Sequence, residues 1–540
     1  MRVPTPAVAL LLAAAACAPA VSAPAPAAAP TPDGLPPIPA VRGPLAIRVV
    51  HPTPGTPRPN VDSSFVFGSV GTGGATLTIN GAPVRVEPNG AFIAYVAVPR
   101  DGRLALVASA EGRADSAVVS YRLPSPAPTP APPAPRVETV PFAQPVAAAV
   151  VGVADTLRTG SDAATGRATL TGNPRWFLPA GARVWAVARR GDLLQVRLDS
   201  ATLAWFPAAN LALADSIPPP AAPAPPAAAA PAATPSTPTR PVPLDPPLTP
   251  LGPLASASAA RWVDVRLPAG RAPFLVQADS TGASITLYGV SLPAGAPASI
   301  ADPFVRSAEW STPAPGTARL ALRLAQPLWG YKAWYDADGA LVVRLRRPPP
   351  VDSAAPLRGV RIVVDPGHPP AGATGPTGLW EPEANLAIAL PLVRELRRRG
   401  ADVRLTRTAD QPVGLTDRPA LAAALDADLL VSVHNNAFGE GANPFRRNGT
   451  STYYFHPFSA ALARTLNREL VAATQARDLG ALTGNLALVR PTWMPTALTE
   501  SLFMSMPQHE AALRDARFVE RLAQAHAVGI EAFFRSLRGP

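Results

Sequence analysis

The sequence predicts a multidomain chain in which three small all-β modules precede one α/β domain with a mostly parallel sheet. Three observations carry this. Up to about residue 348, short runs of alternating apolar and polar residues are separated by Gly, Asn and Pro turns, the pattern of half-buried strands. Beyond residue 357, β-branched runs alternate with longer stretches of helical spacing, the order that builds parallel sheets flanked by helices. Finally, the 71 prolines among 540 residues gather with alanine in tracts at 24–43, 124–136 and 216–255. A backbone so rich in proline is stiff and short of donors, and reads as spacer.

At the N-terminus, Arg2 is followed by an apolar run from Ala7 to Ala16, too short to span a bilayer but suited to the core of a signal peptide over residues 1–23. The single cysteine, Cys17, excludes an intramolecular disulfide. It closes the run as AAAC, which resembles a bacterial lipobox with Ala14 where leucine is usual. The rival cleavage, after Ala23, would leave Pro24 at the new terminus. We therefore expect an exported lipoprotein of the periplasm or cell envelope, anchored to membrane lipid through Cys17. The formal charge of +11 is almost all arginine, with Lys332 the only lysine. Such a chain is drawn to polyanions. No nucleic-acid-binding motif accompanies the charge, so no nucleic acid is expected as a partner.

Residues 44–123 read as an immunoglobulin-like β sandwich, with Asn80-Gly81 as a hairpin turn that accepts positive φ. Residues 137–215 give about five short strands, as in an SH3-like barrel, in which Trp185, Trp205 and Phe206 either line a groove or fill the core. Residues 256–348 form a further β domain, whose aromatics Trp310, Trp329, Tyr331, Trp334 and Tyr335 are expected mainly inside the sandwich. The α/β domain spans 357–537. Its strands are VRIVV, ADVRLTR, DLLVSVH, GTSTYYF, LALVR and TALTE, and its helices run from about Ala384 to Arg399, to Leu425 behind a Thr416-Asp417 cap, from Ser459 to Arg477, and from Phe518 to Leu537.

Two of these strands end in histidine. VRIVVDPGH delivers His368 and DLLVSVHNN delivers His434, while Glu381 stands just ahead of the first helical pattern after a Gly-rich loop. Open α/β sheets place their chemistry at the carboxyl ends of strands. Two imidazoles and one carboxylate leave a fourth position open, the ligand set of a catalytic Zn2+. Singly, each residue has a structural explanation. The remaining histidines in this domain, His456, His509 and His526, lack such placement.

The ordered pieces DPGH, GLWEPEANLAIAL, LTRTAD, SVHNNA and PTALTE resemble the zinc-dependent N-acetylmuramoyl-L-alanine amidases of the amidase 3 type. The likeness covers residues 357–537. It implies hydrolysis of the amide between N-acetylmuramic acid and L-alanine in peptidoglycan, with His368, Glu381 and His434 at the positions of the zinc ligands and Glu500 at that of the catalytic glutamate. Asn436 and Arg490 are added as candidate substrate contacts, Arg490 because a guanidinium binds stem-peptide carboxylates with two hydrogen bonds. The chain departs from the family at Pro369 and Pro370, where glycines are usual, and at Leu502, whose bulk is expected to narrow the cleft. The stretch between His434 and Tyr453 has no room for an inserted autoinhibitory helix, so control is expected from the β modules or from localisation. Two rival readings are a non-catalytic peptidoglycan-binding protein that keeps the fold, and a zinc peptidase acting on another wall bond.

Overall fold

The computed structural model describes residues 34–123, 138–151, 154–159, 176–178, 180–198, 203–214 and 247–537. The signal segment, Cys17 and most of the residues read as spacers lie outside them.

Three β units come first. Strands Arg48–His51, Ser63–Ser69 and Ala91–Ala97 form one antiparallel sheet, and Thr76–Ile79, Ala82–Val84, Arg103–Ala110 and Arg113–Ser120 form a second. Alternation along Arg103–Ala110 turns Leu104, Leu106 and Ala108 inward, where they meet Val66, Leu77 and Phe92 between the sheets. Asn80 and Gly81 both take positive φ and close the hairpin. Strands between Val140 and Leu213 make a seven-stranded antiparallel sheet whose core holds Phe206, with Trp205 also buried. Two four-stranded antiparallel sheets follow between Ala255 and Arg346. This unit starts earlier than expected, because Thr249–Pro250 pairs with Val290–Ser291 and Leu251 is buried in the core. The second and third units also share one continuous apolar core, running from Val184 and Phe206 to Val265, Leu287 and Leu345.

The C-terminal domain carries strands β1 (Arg361–Pro366), β2 (Asp402–Leu405), β3 (Leu429–Asn436), β4 (Thr450–Tyr454), β5 (Asp478–Thr483) and β6 (Thr496–Phe503). They form one sheet in the order β2-β1-β3-β6-β4-β5, parallel at every pairing except β4 with β6. Its helices are α1 (Glu381–Arg398), α2 (Asp417–Ala424), α3 (Ala460–Thr474), α4 (Pro507–Arg514) and α5 (Ala516–Ser536). Helix α1 buries Ile388, Leu392, Val393 and Leu396 against the sheet. At Gly529, α5 meets α3 so closely that a β-carbon would lie 2.9 Å from the Leu466 Cα.

Several expectations need correction. Helix α1 begins at Glu381 itself, with Trp380 extended before it and Pro382 in the first turn, where a missing N–H costs nothing. Thr416 precedes α2 but makes no side-chain cap. The apolar run LALVR is not a strand: Ala487–Val489 is a single 3-10 turn. Leu502 does not narrow a cleft, since it is fully buried in the core beneath the sheet.

The third β unit is joined to this domain by buried contacts. Trp329 is 1% exposed, lies against Phe533 and Phe534 of α5 and donates from Nε1 to the Asp428 carbonyl at 2.8 Å. Arg346, fully buried, donates to the Ala427 carbonyl at 2.6 Å and to Asp428 Oδ1 at 2.8 Å, and stands over the Trp493 ring. Burial pulls its pKa down to about 10, so the charge persists at neutral pH and is met by Asp428 and Asp426.

Candidate active site

β1, β3 and β6 are central neighbours, and the site forms at their carboxyl ends. In register, His434 on β3 faces Glu500 on β6, while His368 follows β1 by two residues. The donor atoms offered by His368, Glu381 and His434 lie within 4.8 Å of one another. His434 Nδ1 is 3.2 Å from Glu381 Oε1, and His368 Nε2 is 3.4 Å from Glu381 Oε2. The two imidazoles meet edge to face at 5.0 Å. Gly367 makes this convergence possible, because a β-carbon there would lie 2.2 Å from the His434 ring. Two imidazoles, one carboxylate and an accessible approach suit a catalytic zinc, so the residues present fit that ion.

Charge follows the packing. Burial raises the Glu381 pKa, but the His434 hydrogen bond and both imidazoles outweigh it and hold the carboxyl below its usual range. Burial works against charge on His434 too, yet Glu381 and Glu500 lift its pKa. His368, with less support, is pulled down by burial. Glu500 is pushed up to about 8, chiefly by burial and further by the Glu381 charge. Its Oε2 is sealed from solvent and has no hydrogen-bond partner among the described residues, so one carboxylate oxygen is left free beside His434.

A set of buried polar residues that the sequence did not reveal holds these groups in place. Asn385, one turn along α1, donates to the Gly367 carbonyl at 3.1 Å and to Glu381 Oε1 at 3.3 Å, and Asn435 donates to Asn385 Oδ1 at 3.0 Å. The Glu510 carboxylate on α4, fully buried, accepts from the Thr377 N–H at 2.8 Å and the Leu379 N–H at 2.9 Å, fixing the loop that leads into Glu381. Two guanidiniums secure the turn bearing His368. Arg407, 1% exposed, donates to the carbonyls of Pro366, Gly367, Pro382 and Ala409. Arg418, 3% exposed, donates to Asp365 Oδ1 at 2.8 Å and to the carbonyls of Pro366, His368, Pro369 and Val413. Asp365 also accepts from Ser432 at 2.6 Å. His368 has φ +60°, a costly conformation for a non-glycine residue, and these contacts hold it.

Of the two candidate substrate contacts, Asn436 stands at the site's edge, half-buried, its Oδ1 accepting from the Ala437 N–H at 2.8 Å. Arg490 is not with it. The register pairs Ser451 with Glu500 and Tyr453 with Leu498, so β4 runs away from the site towards His456. His456 Nε2 then lies 2.8 Å from the Arg490 carbonyl, which places Arg490 towards the opposite end of the sheet, where the His456 ring meets the edge of Tyr331 of the third β unit. The 3-10 turn at Ala487–Val489 is the reason. His509 and His526 are fully buried.

Residues 362–532 match the family model described as N-acetylmuramoyl-L-alanine amidase. The chain is 34% identical over 186 residues to N-acetylmuramoyl-L-alanine amidase LytC of Bacillus subtilis, covering 33% of this chain and 36% of that protein. It is 30% identical over 188 residues to the probable cell wall amidase LytH of Staphylococcus epidermidis, covering 34% of this chain and 62% of that one. Thus it spans less than two thirds of either relative. Among solved structures, the catalytic domain of CwlV, an N-acetylmuramoyl-L-alanine amidase from Bacillus (Paenibacillus) polymyxa var. colistinus, is 35% identical with a TM-score of 0.30, over 32% of this chain and 97% of that one. The sporulation-specific N-acetylmuramoyl-L-alanine amidase of Bacillus subtilis is 34% identical over 182 residues, 32% of this chain and 68% of that protein. With that match beside the family model, the chain belongs to the N-acetylmuramoyl-L-alanine amidase family.

Proposed function

We propose that this protein is a peptidoglycan hydrolase that cleaves the amide between N-acetylmuramic acid and the L-alanine of the stem peptide. One observation carries the reading: two imidazoles and a carboxylate converge within 4.8 Å at the carboxyl ends of parallel strands, beside a carboxylate with one unpartnered oxygen. His368, Glu381 and His434 would hold the zinc ion. An ion held by them would lower the pKa of a water molecule towards about 7 and polarise the substrate carbonyl. The charge of a zinc ion held there would favour the ionised form of Glu500, which takes the proton of the attacking water. As the C–N bond breaks, Glu500 hands that proton to the departing alanine nitrogen, and the lactyl group is released as a carboxylic acid that gives its remaining proton to solvent. Asn385 and Asn435 keep Glu381 turned towards both histidines.

The surrounding architecture fits work in the cell envelope, in cell separation or wall turnover. We assign residues 44–123 to an immunoglobulin-like domain and 137–215 to an SH3-like domain, and we read Cys17 as a lipid anchor. The test is zinc content together with digestion of purified sacculi. New free L-alanine N-termini on intact glycan strands are expected, and cuts within the peptide would refute the assignment.

A further inference from the structure

The first β unit, more than 300 residues upstream of the site in sequence, touches both loops that flank it. On one side Arg48 packs its guanidinium against Gly378, where a β-carbon would lie 3.0 Å from Nη1, three residues ahead of Glu381. On the other side the unit holds the segment that leaves β3 after Asn436. Ser64 donates to Glu440 Oε2 at 3.2 Å and accepts from the Gly441 N–H at 3.3 Å. Tyr95 donates to the Gly441 carbonyl at 3.3 Å, and His51 Nε2 lies 3.1 Å from Glu440 Oε1. An aromatic file joins the two bodies: His51 stacks on Phe65 at 4.5 Å, Phe65 meets the edge of Phe438 at 5.7 Å, and Phe438 stacks on Phe503 at 4.6 Å. Phe503 ends β6, three residues past Glu500.

We infer that the first β unit is a positioning element of the active site, clamping the 437–441 segment and the Gly378 turn so that they form fixed walls for the substrate. Two features argue for a clamp over a cover. The contacts are made to backbone and side chains of the flanking segments, and the His368 side chain remains 29% exposed beneath them. The segment is lightly held: Ala437, Gly439 and Glu440 are exposed, Phe438 sits between Phe65 of the first unit and Phe503, and Gly441 is hydrogen-bonded to Ser64 and Tyr95 of the first unit. A substrate-binding segment ordered from outside loses binding before it loses chemistry, so release of the clamp acts on KM more than on kcat. The effect on turnover rests on the proposed amidase reading, whereas the clamp itself does not.

The test uses the full chain. Val61, 39% exposed, has its methyl groups against Gly441, where a β-carbon would come within 3.0 Å. Val61→Glu sets a second carboxylate beside Glu440 without disturbing the unit's core, and Phe438→Ala removes the aromatic bridge from the other side. Hydrogen exchange of the amides at 437–443 is expected to quicken by about tenfold in both variants, while exchange in Ser63–Ser69 and Ala91–Ala97 stays unchanged, showing the unit still folded. KM for solubilised peptidoglycan fragments is expected to rise about fivefold with kcat within about twofold of the parent. Exchange at 437–443 within about twofold of the parent in both variants would overturn the clamp, and so would a rise in kcat/KM, which would make the unit a cover. A parent without amidase activity would refute the proposed function and leave the exchange result to decide the clamp.

Discussion

Replacing Arg418 with methionine tests whether the buried guanidinium behind His368 serves the proposed zinc site as well as the fold. Methionine fills a similar length but donates nothing, so Asp365, fully buried, loses its countercharge and the carbonyls of Pro366, His368, Pro369 and Val413 lose a donor. Stripping one partner from a buried ion pair costs about 3–5 kcal/mol. Asp365 keeps its bond from Ser432, so the lower end, about 3 kcal/mol, is expected, leaving the domain folded if its stability lies in the usual range of about 5–15 kcal/mol. With its carbonyl released, His368 is no longer held at φ +60°, and zinc affinity is expected to fall about 10–100-fold, the usual effect of removing an outer partner. Competition against a chromophoric chelator measures the affinity, and urea unfolding measures the stability. If stability falls as expected while zinc affinity stays within about twofold, Arg418 serves the fold alone and the positioning argument fails.

Three further outcomes are expected. On the proposed mechanism, Glu500→Gln binds zinc as the parent does, read by metal analysis, and loses about 10²–10⁴-fold in hydrolysis rate for want of a general base. His509 and His526 are each depressed by burial to about 4, below the value near 6.5 of an unfolded histidine, so the unfolded chain takes up protons that the native one refuses. Their contribution to stability is thus complete above about pH 6.5 and is lost as pH falls towards about 4, by about 2 kcal/mol for each residue at pH 5, which urea titrations at pH 7.5 and 5 would show and His526→Gln would reduce. Trp329→Ala removes a fully buried indole from between the third β unit and α5; a loss of about 3–5 kcal/mol and separate melting of the two bodies by calorimetry are expected.

The residues proposed to carry the chemistry were legible because each follows an apolar run or opens a helix: His434 and Glu500 in the carboxyl-terminal halves of β3 and β6, His368 just past β1, Glu381 at the first position of α1. The residues that hold them were not. Glu510 reaches Leu379 across 131 positions, and Arg418 reaches Asp365 across 53. In sequence, a glutamate or arginine on an amphipathic helix reads as a solvated charge, and only tertiary contact shows it buried. Arg490 failed for a different reason. The five residues LALVR carry β propensity, but the chain turns as a 3-10 helix to bury Leu488 and Val489 against Val363 and Trp493, and packing overrides so short a run. The docking of the first β unit left no local signal, since His51, Ser64 and Tyr95 are unremarkable members of their own strands.

The pairing of His434 with Glu500 in register has a consequence for which sequence changes the family fold can absorb. Their separation is set by the spacing of two adjacent parallel strands, about 4.7–4.9 Å, rather than by the reach of flexible side chains. Losing or gaining one residue between Leu429 and His434, or between Thr496 and Glu500, would turn one of the two to the other face of the sheet, since side chains alternate along a strand. No rotamer could bring it back. The loop ahead of Glu381 is under no such constraint, because α1 and Glu510 fix its far end whatever its length. Insertions and deletions among descendants of this chain should therefore gather between His368 and Glu381 and be absent from β3 and β6.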